Sequence, residues 1–241
     1  MNILIVGNLG YVGFALSKFL KINSNNCKLF GFDTNFFNQG NDKNIDQQFF
    51  GDVRSFDKEI LNSIDVVVYL AAISNDPMGN KFETPTLSIN CNSAYNIALL
   101  SKYKNVRHFI FASSCSVYGF DDGKLKSETS QVNPLTTYAK SKIEAEKLLF
   151  KLHDINFLVT NLRFATATGY SSNMRLDLVL NDFVASAIID NKIEILSNGK
   201  PFRPLIHLED MSRAIYWSSI RNITEGGSYL IINVGSNEMN Y

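Results

Sequence analysis

Apolar residues cluster in short runs at positions 3–6, 28–32, 66–70, 108–112 and 157–162. These runs are nearly continuous instead of alternating, the pattern of strands buried on both faces of a parallel sheet. Longer stretches with apolar residues at helical spacing lie between them, at 11–20, 86–102 and 138–152. Strand and helix alternating in this way predict right-handed βαβ units and a doubly wound α/β fold. After residue 165 the rhythm changes. Residues 165–173 are rich in Thr, Ser, Gly and Asn and read as a loop. A helix is expected at 178–191, a short strand at 193–196, a turn at 197–199, a second helix at 208–220 and a last strand at 229–234. The expected division is 1–165 for a nucleotide-binding domain and 166–241 for a smaller, partial one.

Composition narrows the class of partner. Lys and Arg number 23 and so do Asp and Glu, so the formal net charge is zero. Neither nucleic acid nor an anionic membrane is therefore an expected partner. No apolar run reaches the roughly 18–20 residues a membrane span needs. Cys27, Cys91 and Cys115 form no paired spacing, and His108, His153 and His207 are scattered. A reduced, cytoplasmic protein without a metal site is expected.

The first strand runs into Gly7-Asn8-Leu9-Gly10-Tyr11-Val12-Gly13. Between a strand and a helix, such a loop brings backbone N–H groups and the positive helix end to a pyrophosphate. Asp33 closes the second strand, 20 residues beyond Gly13. An acid there accepts hydrogen bonds from ribose hydroxyls and repels a 2′-phosphate, which favours NAD over NADP. Asp52, in Gly51-Asp52-Val53, is a second candidate, set beside the adenine or used as a turn residue. Tyr138 and Lys142 share one face of a predicted helix. An ammonium nearby favours the phenolate, so this Tyr can act as a base toward a sugar hydroxyl. Ser113 and Ser114 emerge from the strand 108–112 at its carboxyl end, where ligands of open α/β sheets sit.

Together these residues resemble the extended short-chain dehydrogenase/reductase family, and within it the NAD-dependent sugar-nucleotide epimerases and dehydratases. The resemblance rests on Gly7-x-x-Gly10-x-x-Gly13, Asp33, Gly51-Asp52-Val53, Leu70-Ala71-Ala72, Ile89-Asn90, the Ser113-Ser114 to Val117-Tyr118-Gly119 stretch and Tyr138-x-x-x-Lys142. It continues through Leu162-Arg163-Phe164 and Arg203-Pro204-Leu205-Ile206-His207. It implies a Rossmann-type doubly wound parallel sheet with a small, incomplete C-terminal substrate domain. Ser114 then matches the family's Ser/Thr, Tyr138 its base and Lys142 the base's partner. Gly7, Asn8, Gly10, Tyr11, Val12, Gly13, Asp33, Asp52, Val53, Leu70, Ala71, Ala72 and Asn90 line or support the cofactor, with Tyr138 and Lys142. Ser74, Ser114, Thr166, Asn181 and Arg203 fall on the substrate side.

The implied reaction is NAD-dependent epimerisation of a nucleoside-diphosphate sugar, at C4 in the close analogy, through a transient keto intermediate, in a homodimer. A keto-sugar-nucleotide reductase and a cofactor-binding module without turnover are the alternatives. Cys115 and Ser116 stand where dehydratases of the family carry an Asp-Glu pair, which argues against a 4,6-dehydratase. Thr166 replaces an Asn used by the 4-epimerases. Relatives also continue past the strand 229–234, so the substrate half is expected to be incomplete.

Overall fold

The computed structural model describes residues 1–24, 26–36, 42–119, 125–195 and 204–235. Its strands are β1 (Asn2–Val6), β2 (Lys28–Asp33), β3 (Gln47–Phe50), β4 (Val66–Tyr69), β5 (His108–Ser114), β6 (Leu158–Phe164), β7 (Thr166–Thr168), β8 (Leu205–His207) and β9 (Tyr229–Val234). The helices are α1 (Tyr11–Asn23), α2 (Asp76–Lys81), α3 (Glu83–Leu87), α4 (Ala94–Tyr103), α5 (Thr137–Phe150), α6 (Val179–Ile189) and α7 (Leu208–Ile220). Seven strands form one sheet in the order β3-β2-β1-β4-β5-β6-β9, and every pairing is parallel. Strand order reverses between β1 and β4, so the crevice for a ligand opens at the carboxyl ends of those two strands.

The apolar runs become the sheet's centre because both faces are covered. On β1, Leu4 and Val6 point into one core with Tyr69, Phe109, Phe111, Ala94, Ile97 and Leu149. Ile3 and Ile5 point into the other with Leu16, Leu20, Val66, Ile110, Met211 and Ile215. Helices α1 and α7 pack together over the second face, while α4 and α5 cover the first.

Four local differences from the sequence pattern have physical causes. Strand β3 was not among the predicted strands, because Gln47 and Gln48 break its apolar character at the sheet edge. Within the stretch read as a loop, Thr166–Thr168 forms β7, held by parallel pairing with β8; three residues are too few to show a period. The strand expected at 193–196 is not formed over residues 193–195, and Leu196 lies outside the described residues. The helix expected at 86–102 starts earlier, with α3, and passes through a π-helical segment, Ser88–Ser93, before α4. Within that segment the Ile89 carbonyl accepts a 2.6 Å hydrogen bond from the Tyr69 hydroxyl.

Candidate active site

The glycine loop is closed against its own backbone and the end of β4, where a side chain would not fit. Gly7 has φ of 91°, and a Cβ there would lie 2.6 Å from the Ala71 nitrogen; at Gly13 it would lie 2.3 Å from the Asn8 carbonyl oxygen. Gly10 caps α1 without a side-chain hydrogen bond, and no acid occupies the first turn. The positive end of α1 is therefore not neutralised by an acid of its own first turn. Asp33 ends β2 beside this loop, accepting from the Leu9 N–H at 3.1 Å and the Asn35 N–H at 3.0 Å.

Other predicted cofactor residues have distinct places. The Asn8 side chain turns inward and exchanges hydrogen bonds with the Gln48 amide, so it braces the loop against β3. Val12 packs at the edge of the core, and Val53 is buried. Asp52 accepts from the Arg54 backbone and guanidinium, which holds its carboxyl below the usual range. Leu70 and Ala71 both donate to the Val6 carbonyl, bringing the end of β4 against Gly7. Ala72 follows on the same crevice wall, half-buried. Asn90, fully buried, accepts from the Ile73 N–H and donates to the Ile73 carbonyl and the Ser141 hydroxyl. It clamps the loop after β4 to α5.

Helix α5 begins where Thr136 caps it, its hydroxyl accepting from the Ala139 N–H. Tyr138 thus sits in the first turn and Lys142 one turn on. Ser114, at the end of β5, lies near the Tyr138 phenol and its hydroxyl accepts from the Ser116 N–H. Burial pushes that phenol up to about 12; the Ser114 hydroxyl and the Arg175 charge act in the opposite direction. The Lys142 ammonium nitrogen donates to the Ala112 carbonyl at 2.7 Å and lies 5.5 Å from the Tyr138 ring centre and 4.7 Å from that of Phe111. Burial brings its pKa down to about 7, with Glu146 opposing the shift. Desolvation and a nearby carboxylate thus compete to set the lysine's charge at neutral pH.

On the substrate side, Ser74 accepts from Arg175, whose guanidinium makes a two-point pair with Asp177; Asn75 also donates to Asp177. Asn181 is absorbed by the protein itself. Its amide donates to the Tyr11 hydroxyl and the Arg175 carbonyl, and its oxygen accepts from Thr168 and Gly169. Thr166 is half-buried on β7. Arg203 lies outside the described residues. Arg175 and Glu146 were not among the expected site residues, although Glu146 repeats the four-residue step of Tyr138 and Lys142. Among the described residues, no group of three His, Cys, Asp or Glu side chains is placed to hold a metal, and no helix is long and apolar enough to cross a membrane.

A family model for the NAD dependent epimerase/dehydratase family matches residues 3–235. An uncharacterized protein of Methanocaldococcus jannaschii is 27% identical over 256 residues, covering 98% of this chain and 76% of that protein. Protein CapI of Staphylococcus aureus is 29% identical over 237 residues, 89% of this chain and 68% of that one. Among solved structures, UDP-glucuronic acid 4-epimerase from Bacillus cereus in complex with NAD superposes with a TM-score of 0.83 at 25% identity. That match covers 98% of this chain and 78% of the other.

Proposed function

Because the chain belongs to the NAD-dependent epimerase/dehydratase family, we propose that it epimerises a nucleoside-diphosphate sugar with NAD as a resident cofactor. The observation that carries this reading is the cluster of Ser114, Tyr138 and Lys142 on the wall of the crevice that the glycine loop opens. Gly7 and Gly13 admit the tight loop that a side chain would block, so that a pyrophosphate can sit against the α1 N-terminus, and Asp33 receives the adenosine ribose. When bound, NAD supplies a hydride acceptor that returns what it takes, so the reaction has no net redox change.

The protein's own part is proton handling and orientation. Ser114 holds the sugar hydroxyl beside the Tyr138 oxygen, and Tyr138 takes its proton. The Lys142 ammonium stabilises the phenolate in which Tyr138 must stand before it accepts that proton, and the low polarity that raises the free phenol's pKa strengthens that attraction. Ser74 and the Arg175–Asp177 pair border the same space, where a sugar diphosphate brings negative charge. The name of the Bacillus cereus enzyme supports a uridine nucleotide and C4 as first choices. The reading also takes residues from about 166 onward as the start of a substrate-binding portion, and pairs α4 and α5 of two copies in a homodimer. Leu99, Tyr103 and Phe150 are exposed on those helices.

Tyr138→Phe is the direct test. Turnover should fall by at least about 10²-fold, the usual contribution of a positioned acid–base group, while NAD binding by calorimetry stays near the wild-type value. Full turnover in that variant would remove Tyr138 from proton transfer. Net consumption of reduced cofactor with substrate would favour a reductase.

A further inference from the structure

Three residues one helical turn apart on α5 engage three consecutive residues of β5. Lys142 donates to the Ala112 carbonyl at 2.7 Å and Glu146 accepts from the Ser113 hydroxyl at 2.5 Å, while Ser114 lies near the Tyr138 phenol and favours its phenolate. The third contact is the most heavily built. Glu146 is 3% exposed and Arg163, on β6, 4%. They form a two-point pair, at 3.0 Å from Nε to Oε1 and 2.7 Å from Nη2 to Oε2. Arg163 also donates to the Tyr118 hydroxyl, which donates to Asn233 on β9, and the Tyr229 hydroxyl donates to the Glu146 carbonyl.

A buried ion pair is a costly way to hold a core together, since well-packed apolar residues often serve as well or better. Its retention needs a use for directional bonds, and here those bonds end one residue from Ser114 and one turn from Lys142. We propose that Glu146, locked by Arg163, is a positioning residue that keeps Ser114 and Lys142 in register with Tyr138. This rests on the epimerase reading above and assigns Glu146 and Arg163 a part in it.

The carboxylate acts on charge as well as on geometry. Facing α5 are Asp76 from α2, Glu83 from α3, Cys91 from the π-helical segment, Tyr95 from α4, Cys115 after β5, Arg163 from β6 and Tyr229 from β9. Among charged groups, Glu146 is the one that acts on Lys142, favouring its ammonium. Losing that charge makes Lys142 deprotonate at lower pH. Activity that needs the ammonium is then lost earlier on the alkaline side.

The experiment compares kcat against pH for wild type, Glu146→Gln, Glu146→Asp and the doubly neutral Glu146→Gln/Arg163→Gln, with Tyr138→Phe alongside. In Glu146→Gln, kcat at neutral pH should fall about tenfold and the alkaline limb should move down by about one pH unit, the tenfold change that one unit of pKa represents. NAD affinity and KM should stay within about twofold. Glu146→Asp should keep the wild-type limb, because the charge remains. If Glu146→Gln fails to fold with Arg163 left unpaired, the double variant carries the same expectation. An unchanged limb together with kcat within about twofold of wild type, in whichever of the two variants folds, overturns the proposal. If Tyr138→Phe is inactive while that happens, only the positioning role is lost. If Tyr138→Phe turns over normally, the proton-transfer role of Tyr138 on which the proposal rests fails.

Discussion

His108 opens β5 with its ring buried and its Nδ1 atom without a hydrogen-bond partner. Burial, with help from Arg107 and Arg221, lowers its pKa to about 4. The unfolded chain, with a His pKa near 6.5, then binds more protons than the folded one between about pH 4 and 6.5. Stability therefore falls as pH drops through that window. Urea midpoints measured from pH 7 to 4 should show this fall, and His108→Gln should flatten it. A wild-type slope retained by the variant would place the acid sensitivity in other groups. Burial lowers the pKa of Lys142 as well, but there the charge of Glu146 opposes it, and the balance bears on turnover.

At the scale of elements, the β1–α1 connection is tightly constrained. A methyl group at Gly13 would lie 2.3 Å from the Asn8 carbonyl oxygen and 2.5 Å from that of Gly7, and neither backbone atom can swing aside as a side-chain end would. Gly13→Ala should cost about 1–3 kcal/mol, the usual penalty of overpacking, and should weaken NAD binding by tenfold or more. Urea denaturation and NAD titration check the two effects separately. A variant as stable as wild type, with full NAD affinity, would mean that the loop relaxes where the packing says it cannot. The π-helical segment is the second special element. Its widened turn directs Asn90 into the loop after β4, so a helix defect and a half-buried loop stabilise one another.

For the whole molecule, the crevice lies between loops from both halves of the sequence. Ser171 and Asn173 donate to the carbonyls of Tyr11 and Leu9, and the Tyr11 hydroxyl donates to the Gly169 carbonyl. The glycine loop is thus braced by residues about 160 positions away in the chain. A ligand that binds this folded arrangement stabilises all of it by mass action. NAD at about 100 times its Kd should add roughly 2.7 kcal/mol, read as a rise in Tm by calorimetry. No shift at saturating NAD would count against the cofactor assignment. The chain spans 76% of its Methanocaldococcus relative and 78% of the Bacillus cereus structure.

Local pattern determined most of the sheet. Continuous apolar runs mark strands buried on both faces, and the five predicted this way became β1, β2, β4, β5 and β6, with the last predicted strand as β9. The glycine loop, Asp33 and the Tyr138–Lys142 step were also legible, because each depends on residues close together in the chain. Tertiary structure alone decided the rest. Edge strand β3 and three-residue β7 have too little apolar period of their own and exist through their neighbours. Asn8 and Asn181 were read as ligand contacts, yet their side chains bond Gln48 and Tyr11 once the chain has closed on itself. Arg163 was legible only as part of the Leu162-Arg163-Phe164 motif, just past the predicted strand, until the β5–β6 register placed it where it meets Glu146. Periodicity reports which residues leave water; which buried polar groups meet depends on the registers of strands and helices far apart in sequence.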